Sequence, residues 1–381
     1  MKKTIYIIFD IFYDASSGGL VATYQRMVNL LSKEYQFKII SIFNYGSNVD
    51  DRFPGVEIIN LSKMKLDINL SEAILNLKKG HIFKSLNIFL NVLIYFFYAP
   101  IARIKIRKII DNEVVICVSP AAAFFMPRSI DFILEIHTQF EYFFGNNPLG
   151  SLQGKLMRKP KLVIFRTKAD MEKGKQLFDS DYLYNFFDDS MLKKEKSIGL
   201  EIRKNKIIFI GRFSKAKNLP KMIACAEKLR EIYPDFQLDM YGTGDQVELI
   251  EQLIKQKKLE NNVHLCGFCN DKNIYDQYSL QWLTSDYEGL SLVLVEALAN
   301  GVPTVSTNWG EGVFEVISNG KNGYIENTID SFVKKTVNLL TNQELLTEIS
   351  VNALNSFELF SKENAYKKWT KILEEFETDN S

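Results

Sequence analysis

Cysteine is scarce, with four in 381 residues. Four cannot staple a chain of this length, so a reducing compartment, the cytoplasm, is expected. Cys266 and Cys269 make a lone CxxC. Without a second pair, this reads as small thiols packed at a strand end. An excess of charge is missing overall, since the formal net charge is +1. That removes the global field expected of a nucleic-acid binder. Acidic residues are missing locally too. None stands between Glu72 and Asp111, whereas Lys78, Lys79, Lys84, Arg103, Lys105, Arg107 and Lys108 do.

A long unbroken apolar run is also absent. The most apolar stretch, 86–102, contains Asn87, Asn91 and Pro100. As a helix it covers roughly 25 Å, against a hydrocarbon core of about 30 Å. Two readings of it stand. One is a helix buried on a sheet; the other is a basic and apolar face, 78–108, resting on the inner face of an anionic membrane. The opening Lys2-Lys3 followed by apolar residues looks like a signal sequence, but Asp10 interrupts the run and no small-residue cleavage site follows. A first strand is expected there instead.

What is present is α/β alternation, repeated. A hydrophobic content of 46% with 24% charged residues fits a globular chain, and the length favours two domains. Short β-rich apolar runs at 4–9, 37–43, 114–118, 132–136 and 161–165 predict strands buried on both faces. After Phe187 the chain turns polar and lysine-rich through Lys204, as a linker would. Strands are expected again at 206–210, 237–241, 263–267, 280–284 and 302–306, with a helix over 219–232 opened by Pro220. The fold class is α/β, as two doubly wound Rossmann-like domains. The first covers 1–190 and the second 205–355, with a charged helix near 360–381. Ligands of such sheets bind beyond the carboxyl ends of the strands.

The chemistry-bearing residues cluster at such ends. Gly18-Gly19 follows the first strand and precedes a helix, which lets backbone N–H groups approach an anion. His137 stands at the end of the strand 132–136. Gly242-Thr243-Gly244 lacks the third glycine of a dinucleotide fingerprint, because Val247 occupies its place. NAD is therefore not expected. The loop can approach a nucleotide or can be a simple turn. Arg212 and Lys217, five positions apart in one loop, suit a diphosphate leaving group whose charge grows in the transition state. Glu288 and Glu296 are eight positions apart, the second expected about two turns into a helix. A carboxylate there can take a ribose diol, and Gly289, Leu290 and Ser291 at the helix start can donate to phosphate.

Gly211-Arg212 with Lys217, Gly242-x-Gly244, the segment SDYEGLSLVLVEALANGVPTVST, Glu315 and Asn322-Gly323 together resemble a retaining GT-B glycosyltransferase of family 4, of the glycosyl transferases group 1. The resemblance is specific over 206–324 and looser in the first half. It implies two domains facing across a cleft, the first for the acceptor and the second for the nucleotide-sugar, with the last helix packing back on the first domain. It gives Arg212 and Lys217 the donor diphosphate, Glu288 the transferred sugar near its reacting face, and Glu296 the ribose. Gly19 is given the β-phosphate, and His137 a donor-sugar hydroxyl. No metal or other cofactor is expected, and no DxD motif stands where a metal would sit, Asp188-Asp189 being adjacent. The implied reaction moves a hexose-type sugar to a saccharide, polymer or lipid-linked acceptor of the cell envelope or capsule. A teichoic-acid-type transferase, a sucrose- or trehalose-type synthase and a non-catalytic scaffold module are the alternatives.

Overall fold

The computed structural model describes the chain except residues 1, 12–18, 45–52, 67, 69, 79, 112, 146, 188–204, 270, 272 and 379–381. Gly18, Lys79, the Asp188-Asp189 pair and the expected linker lie outside the described residues. The chain divides into two units. The first comprises Met1–Arg166, Asp170–Leu183 and Lys368–Ser381, the second Thr167–Ala169 and Tyr184–Lys367.

The first unit is built on a seven-stranded sheet. Its strands are β1 (Lys3–Ile11), β2 (Tyr35–Phe43), β3 (Glu57–Asn60), β4 (Val114–Cys117), β5 (Ile133–Ile136), β6 (Leu162–Phe165) and β7 (Ser180–Tyr182). They lie in the order β3-β2-β1-β4-β5-β6-β7, all pairings parallel. Parallel neighbours need crossovers, and buried ones need apolar side chains on both faces. Hence Ile5, Ile7, Ile8, Ile39, Ile40, Val115 and Ile116 are all fully buried. The strand order reverses between β1 and β4. The helix Lys362–Thr378 crosses the division, and its later half belongs to this unit, where Lys368 pairs with Asp181 at 2.6 Å.

The segment 86–102 is not one helix. Ile82–Phe97 and Ala99–Ile109 are separate helices bent by 46° at Tyr98, next to Pro100. Among the described residues no single helix is long and apolar enough to cross a membrane, though this bent pair is by length and composition. Nor is the first of the two a core helix. It buries Ser85, Ile88 and Tyr95 and leaves Phe83, Leu86, Leu90, Leu93 and Phe97 exposed, Phe83 by 89%. The expectation of a helix packed on the sheet holds for one face, where Tyr95 stacks on Phe43 at 5.5 Å and donates to Asp10 Oδ2 at 3.1 Å, and fails for the other, which is exposed.

The second unit holds a six-stranded parallel sheet in the order β10-β9-β8-β11-β12-β13. Its strands are β8 (Lys206–Ile210), β9 (Gln237–Tyr241), β10 (Val263–Gly267), β11 (Leu280–Leu283), β12 (Thr304–Ser306) and β13 (Gly323–Ile325). Here the order reverses between β8 and β11. The helix Leu219–Ile232 begins as Pro220 implies and buries Leu219, Met222, Ile223, Cys225, Ala226 and Leu229. Trp282, fully buried on β11, packs edge-on against Phe332 at 5.3 Å and donates its indole N–H to Thr336 Oγ1 at 3.1 Å. A buried indole N–H without a partner would be costly, so this bond fixes the ring.

Candidate active site

In the second unit, the loop after β8 is positioned by glycines of the loop after β9. A Cβ on Gly242 would stand 1.8 Å from Gly211 O, and one on Gly244 2.2 Å from Phe213 O. Their missing side chains are filled by the backbone that carries Arg212. Gly211 N donates to Tyr241 O at 3.0 Å, Phe213 N to Thr243 O at 2.9 Å and Gln246 N to Phe213 O at 3.0 Å. The need for glycine at both positions is thus met by loop-on-loop packing.

The Arg212 loop ends in a short turn, Lys215–Lys217, closed by Asn218 in the left-handed region at φ 45°. Asn218 tolerates that conformation because its short side chain bonds locally, here donating to Asp286 Oδ1 at 2.7 Å. Thr284 Oγ1 donates to Lys217 O at 3.0 Å, and Asp286 N to Ala216 O at 2.9 Å. The loop after β8 is thereby strapped to the loop after β11, across the point where the strand order reverses. Lys217 Nζ forms an ion pair with Glu288 Oε1, which also accepts from Ser285 Oγ at 2.7 Å. Both ion-pair side chains are only 15% exposed. Arg212 is exposed on the same loop.

Gly289, Leu290 and Ser291 lead into the helix Leu292–Ala299, with Ser291 at its N-cap in extended conformation and making no side-chain cap bond. The first N–H groups of this helix are therefore not capped by that side chain. Glu296 is the fifth residue of the helix, so it lies about one turn in, not two. Tyr275 is buried beside it and donates to Gln281 Oε1 at 3.0 Å. Burial first, and then the charge of Glu296, push the Tyr275 phenol well above its ordinary pKa.

In the first unit, Gly19 is the first residue of the helix Gly19–Leu31. That helix supplies Tyr24, whose hydroxyl lies 3.0 Å from His137 Nε2. His137 follows β5 and is also met by Arg166, which follows β6. Arg166 Nε lies 3.2 Å from His137 Nδ1, and Arg166 also forms a short hydrogen-bonded ion pair with Glu135. Burial, then the Arg166 charge, hold the His137 pKa well below its ordinary value. Sequence reasoning missed Tyr24, Glu135, Arg166, Ser285 and Tyr275. Only an Arg after one strand and a Glu inside the next hinted at the first unit's cluster.

Other singled-out residues have structural work. Glu315 accepts from Lys168 N at 2.9 Å, Ala169 N at 2.8 Å and Tyr184 Oη at 2.7 Å. Asn322, 1% exposed, donates to Val316 O at 3.0 Å and accepts from Ser318 N at 2.8 Å. A spaced acidic pair that the sequence reading passed over, Asp179-Ser180-Asp181, lies at the edge strand β7, where Asp181 is matched by Lys368. Among the described residues no group of three His, Cys, Asp or Glu side chains converges as metal ligands.

Residues 191–356 match the family model described as Glycosyl transferases group 1. An uncharacterized glycosyltransferase of Haemophilus influenzae is 26% identical over 98% of this chain and 100% of its own length. A poly(glycerol-phosphate) alpha-glucosyltransferase of Bacillus subtilis is 27% identical over 55% of this chain, but the match spans only 32% of that protein. Among solved structures, a variant of Staphylococcus aureus TarM in complex with fondaparinux, alpha-GlcNAc-glycerol and UDP superposes with a TM-score of 0.75 at 17% identity, covering 97% of this chain and 99% of that one. The chain is a glycosyltransferase of the GT-B fold, carrying a glycosyl transferases group 1 domain in its second unit.

Proposed function

We propose that this chain is a retaining glycosyltransferase of family 4 that moves a hexose-type sugar from a UDP-sugar to a hydroxyl of a cell-envelope saccharide or polyol-phosphate polymer. The observation that carries the reading is the Lys217–Glu288 pair where the strand order of the second sheet reverses, the place an open α/β sheet offers its ligand. UDP in the TarM structure and the polymer named for the Bacillus relative support the donor and acceptor classes.

In this reading Lys217 and Arg212 meet the donor diphosphate and neutralise the charge that builds as UDP departs, and no metal is needed. Glu288 holds Lys217 in place and contacts the transferred sugar. Glu296 takes the ribose diol, with Tyr275 fixing its surroundings. The N–H groups from Gly289 to Ser291 take phosphate, with help from the Gly242–Gly244 loop; Gly19 takes the β-phosphate, and His137 takes a donor-sugar hydroxyl.

The acceptor is met at the inner face of the membrane. The helices Ile82–Phe97 and Ala99–Ile109 expose Phe83, Leu86, Leu90, Leu93, Ile101 and Ile104 beside Lys84, Arg107 and Lys108. That combination suits an anionic bilayer, where each nearby cation adds about 1 kcal/mol. Arg103 and Lys105 contribute less, since they donate to Phe124 O at 2.7 Å and to Leu61 O at 2.6 Å. Incubation with UDP-, GDP- and dTDP-sugars tests the donor. Release of UDP with an α-linked product from an α-linked donor supports the reading, and inertness toward every donor refutes it.

A further inference from the structure

Three arginines of the first unit gather at one place that the donor chemistry does not use. Arg103 lies on the helix Ala99–Ile109, Arg158 follows the helix Pro148–Leu156, and Arg128 stands in the loop before β5. The short helix Pro120–Phe124 collects them at its carboxyl end. Arg103 Nη2 donates to Phe124 O at 2.7 Å, and its guanidinium lies 5.2 Å from the centre of the Phe124 ring. Arg158 N donates to Ala123 O at 3.4 Å, and Arg128 follows Phe124 by four residues. Those contacts leave donors over. Arg103 Nε and Arg158 Nε are buried with no hydrogen-bond partner in the protein, and among the described residues no carboxylate pairs with any of the three arginines.

The three come from stretches without an acidic residue, 73–110, 114–130 and 142–169. Burial first, and then the charges of Arg158 and Arg128, press the Arg103 guanidinium below its ordinary pKa. A guanidinium keeps its proton at neutral pH, so repulsion among three of them is relieved by an anion and not by titration. Buried donors without partners call for the same remedy.

Resting on the proposed function for its membrane-facing side, we propose that Arg103, Arg128 and Arg158 form a binding site for the phosphate of a phosphorylated lipid. Forked guanidinium donors match phosphate oxygens in pairs, which a diffuse surface charge does not. The surroundings favour a lipid over a soluble phosphate. Phe96 is 40% exposed and packs edge-on against Phe124 at 5.5 Å, so an apolar side chain open to solvent adjoins the ring that Arg103 covers. Ile101 and Ile104 flank Arg103 in sequence, Leu152 and Leu156 precede Arg158, and all four are exposed. An amphiphile with a phosphate head and acyl chains meets both kinds of surface. A polymer of polyol phosphates meets only the arginines.

The experiment is calorimetry of the full chain with monomeric dioctanoyl phosphatidic acid, beside glycerol 3-phosphate, inorganic phosphate and dodecanoate. The phosphatidic acid should bind, and each of the other three should be weaker by about tenfold or more. Arg128→Lys/Arg158→Lys keeps every charge but removes two forks, so it should weaken the lipid by about tenfold. Arg107→Lys, on the same helix as Arg103, should leave binding unchanged. Arg128 is exposed and its side chain holds no other residue, so Arg128→Lys alone, with a smaller loss, serves if the double variant does not fold. Absence of binding by the parent, dodecanoate as tight as phosphatidic acid, or undiminished binding in the folded lysine variants overturns the proposal. Glycerol 3-phosphate bound as tightly as the lipid overturns it in favour of a soluble phosphate. The assay contains neither nucleotide-sugar nor vesicle. Inertness toward donors or failure to float therefore counts against the functional reading, while calorimetry decides the site.

Discussion

Lys217 and Glu288 are 71 residues apart in sequence and form a part-buried ion pair, closed by Ser285 from the same loop as the glutamate. Each comes from a different strand end, and the two ends adjoin because β8 and β11 are neighbours in the sheet. Removing one member leaves the other charge largely buried and unmatched, which is more damaging than exchanging both. Lys217→Ala should therefore lower kcat by about 100-fold or more while the chain stays folded, in line with losing one preorganised charge at a leaving group. Steady-state assays of UDP release check this. Glu288→Gln should also cut turnover, and an active Lys217→Ala would remove the lysine from the leaving-group role.

Glu296→Ala should weaken UDP binding by about 1.5–3 kcal/mol, the range for hydrogen bonds to a charged group. Calorimetry with UDP measures it. Tyr275→Phe leaves the ring in place and deletes the bond to Gln281, so it should cost less, about 1 kcal/mol. Equal affinity in parent and Glu296→Ala would exclude the ribose contact.

Gly242→Ala should destabilise the second unit, because a Cβ there meets Gly211 O at 1.8 Å, a backbone atom that cannot swing aside. Overpacking of that kind costs about 1–3 kcal/mol and displaces the Arg212 loop, so activity should fall with stability. Gly267 makes a useful contrast. Its φ of 69° is unfavourable for alanine, yet nothing lies within 4 Å of the added Cβ. Gly267→Ala should cost about 1–2 kcal/mol by backbone conformation alone. Gly242 has a positive φ too, 147°, so thermal melts of the two variants separate clash added to conformation from conformation alone.

The neutral state of His137 also sets a stability trend. Its folded pKa lies below that of the unfolded chain, so on acidification the unfolded state takes a proton that the folded state refuses. The contribution is present above about pH 6.5 and is lost as pH falls below it, by about 1.4 kcal/mol per unit at the limiting slope. Denaturant melts from pH 7.5 to 5.5 should show the loss in the parent chain. His137→Gln should flatten the slope.

Binding to vesicles is tested by flotation. Vesicles rich in anionic lipid should carry the protein, and neutral vesicles should carry less. Leu90→Ser/Leu93→Ser and Arg107→Glu/Lys108→Glu should each release it, since these side chains are exposed. Retention of both variants would leave the helix pair without a membrane role.

The sheet was legible in the sequence where a strand is a continuous apolar run. β8, β9 and β10 begin and end where the pattern says they do. The edge strands were not. β3 is EIIN, β7 is SDY and β13 is GYI, too short and too mixed to carry a period. The stretch 86–102 was legible only in part: composition cannot tell an apolar face that meets a sheet, as at Tyr95, from one left uncovered, as at Leu90 and Leu93.

Lys217, Glu288 and Glu296 were legible because a charged residue after an apolar strand is conspicuous and their spacing matched a known pattern. Ser285, Tyr275, Tyr24, Glu135 and Arg166 were not, because each acquires its partner through strand register or loop packing. Gly242 and Gly244 were noticed for a nucleotide and turn out to be needed by a neighbouring loop as well.

The most direct measurement is UDP release from a panel of UDP-sugars by the parent chain and by Lys217→Ala, with the product's anomeric configuration read by NMR. A retaining transfer that relies on Lys217 predicts release by the parent chain, an α-anomeric product and near-complete loss in the variant. Inertness of the parent toward every nucleotide-sugar, or undiminished release by Lys217→Ala, would contradict it.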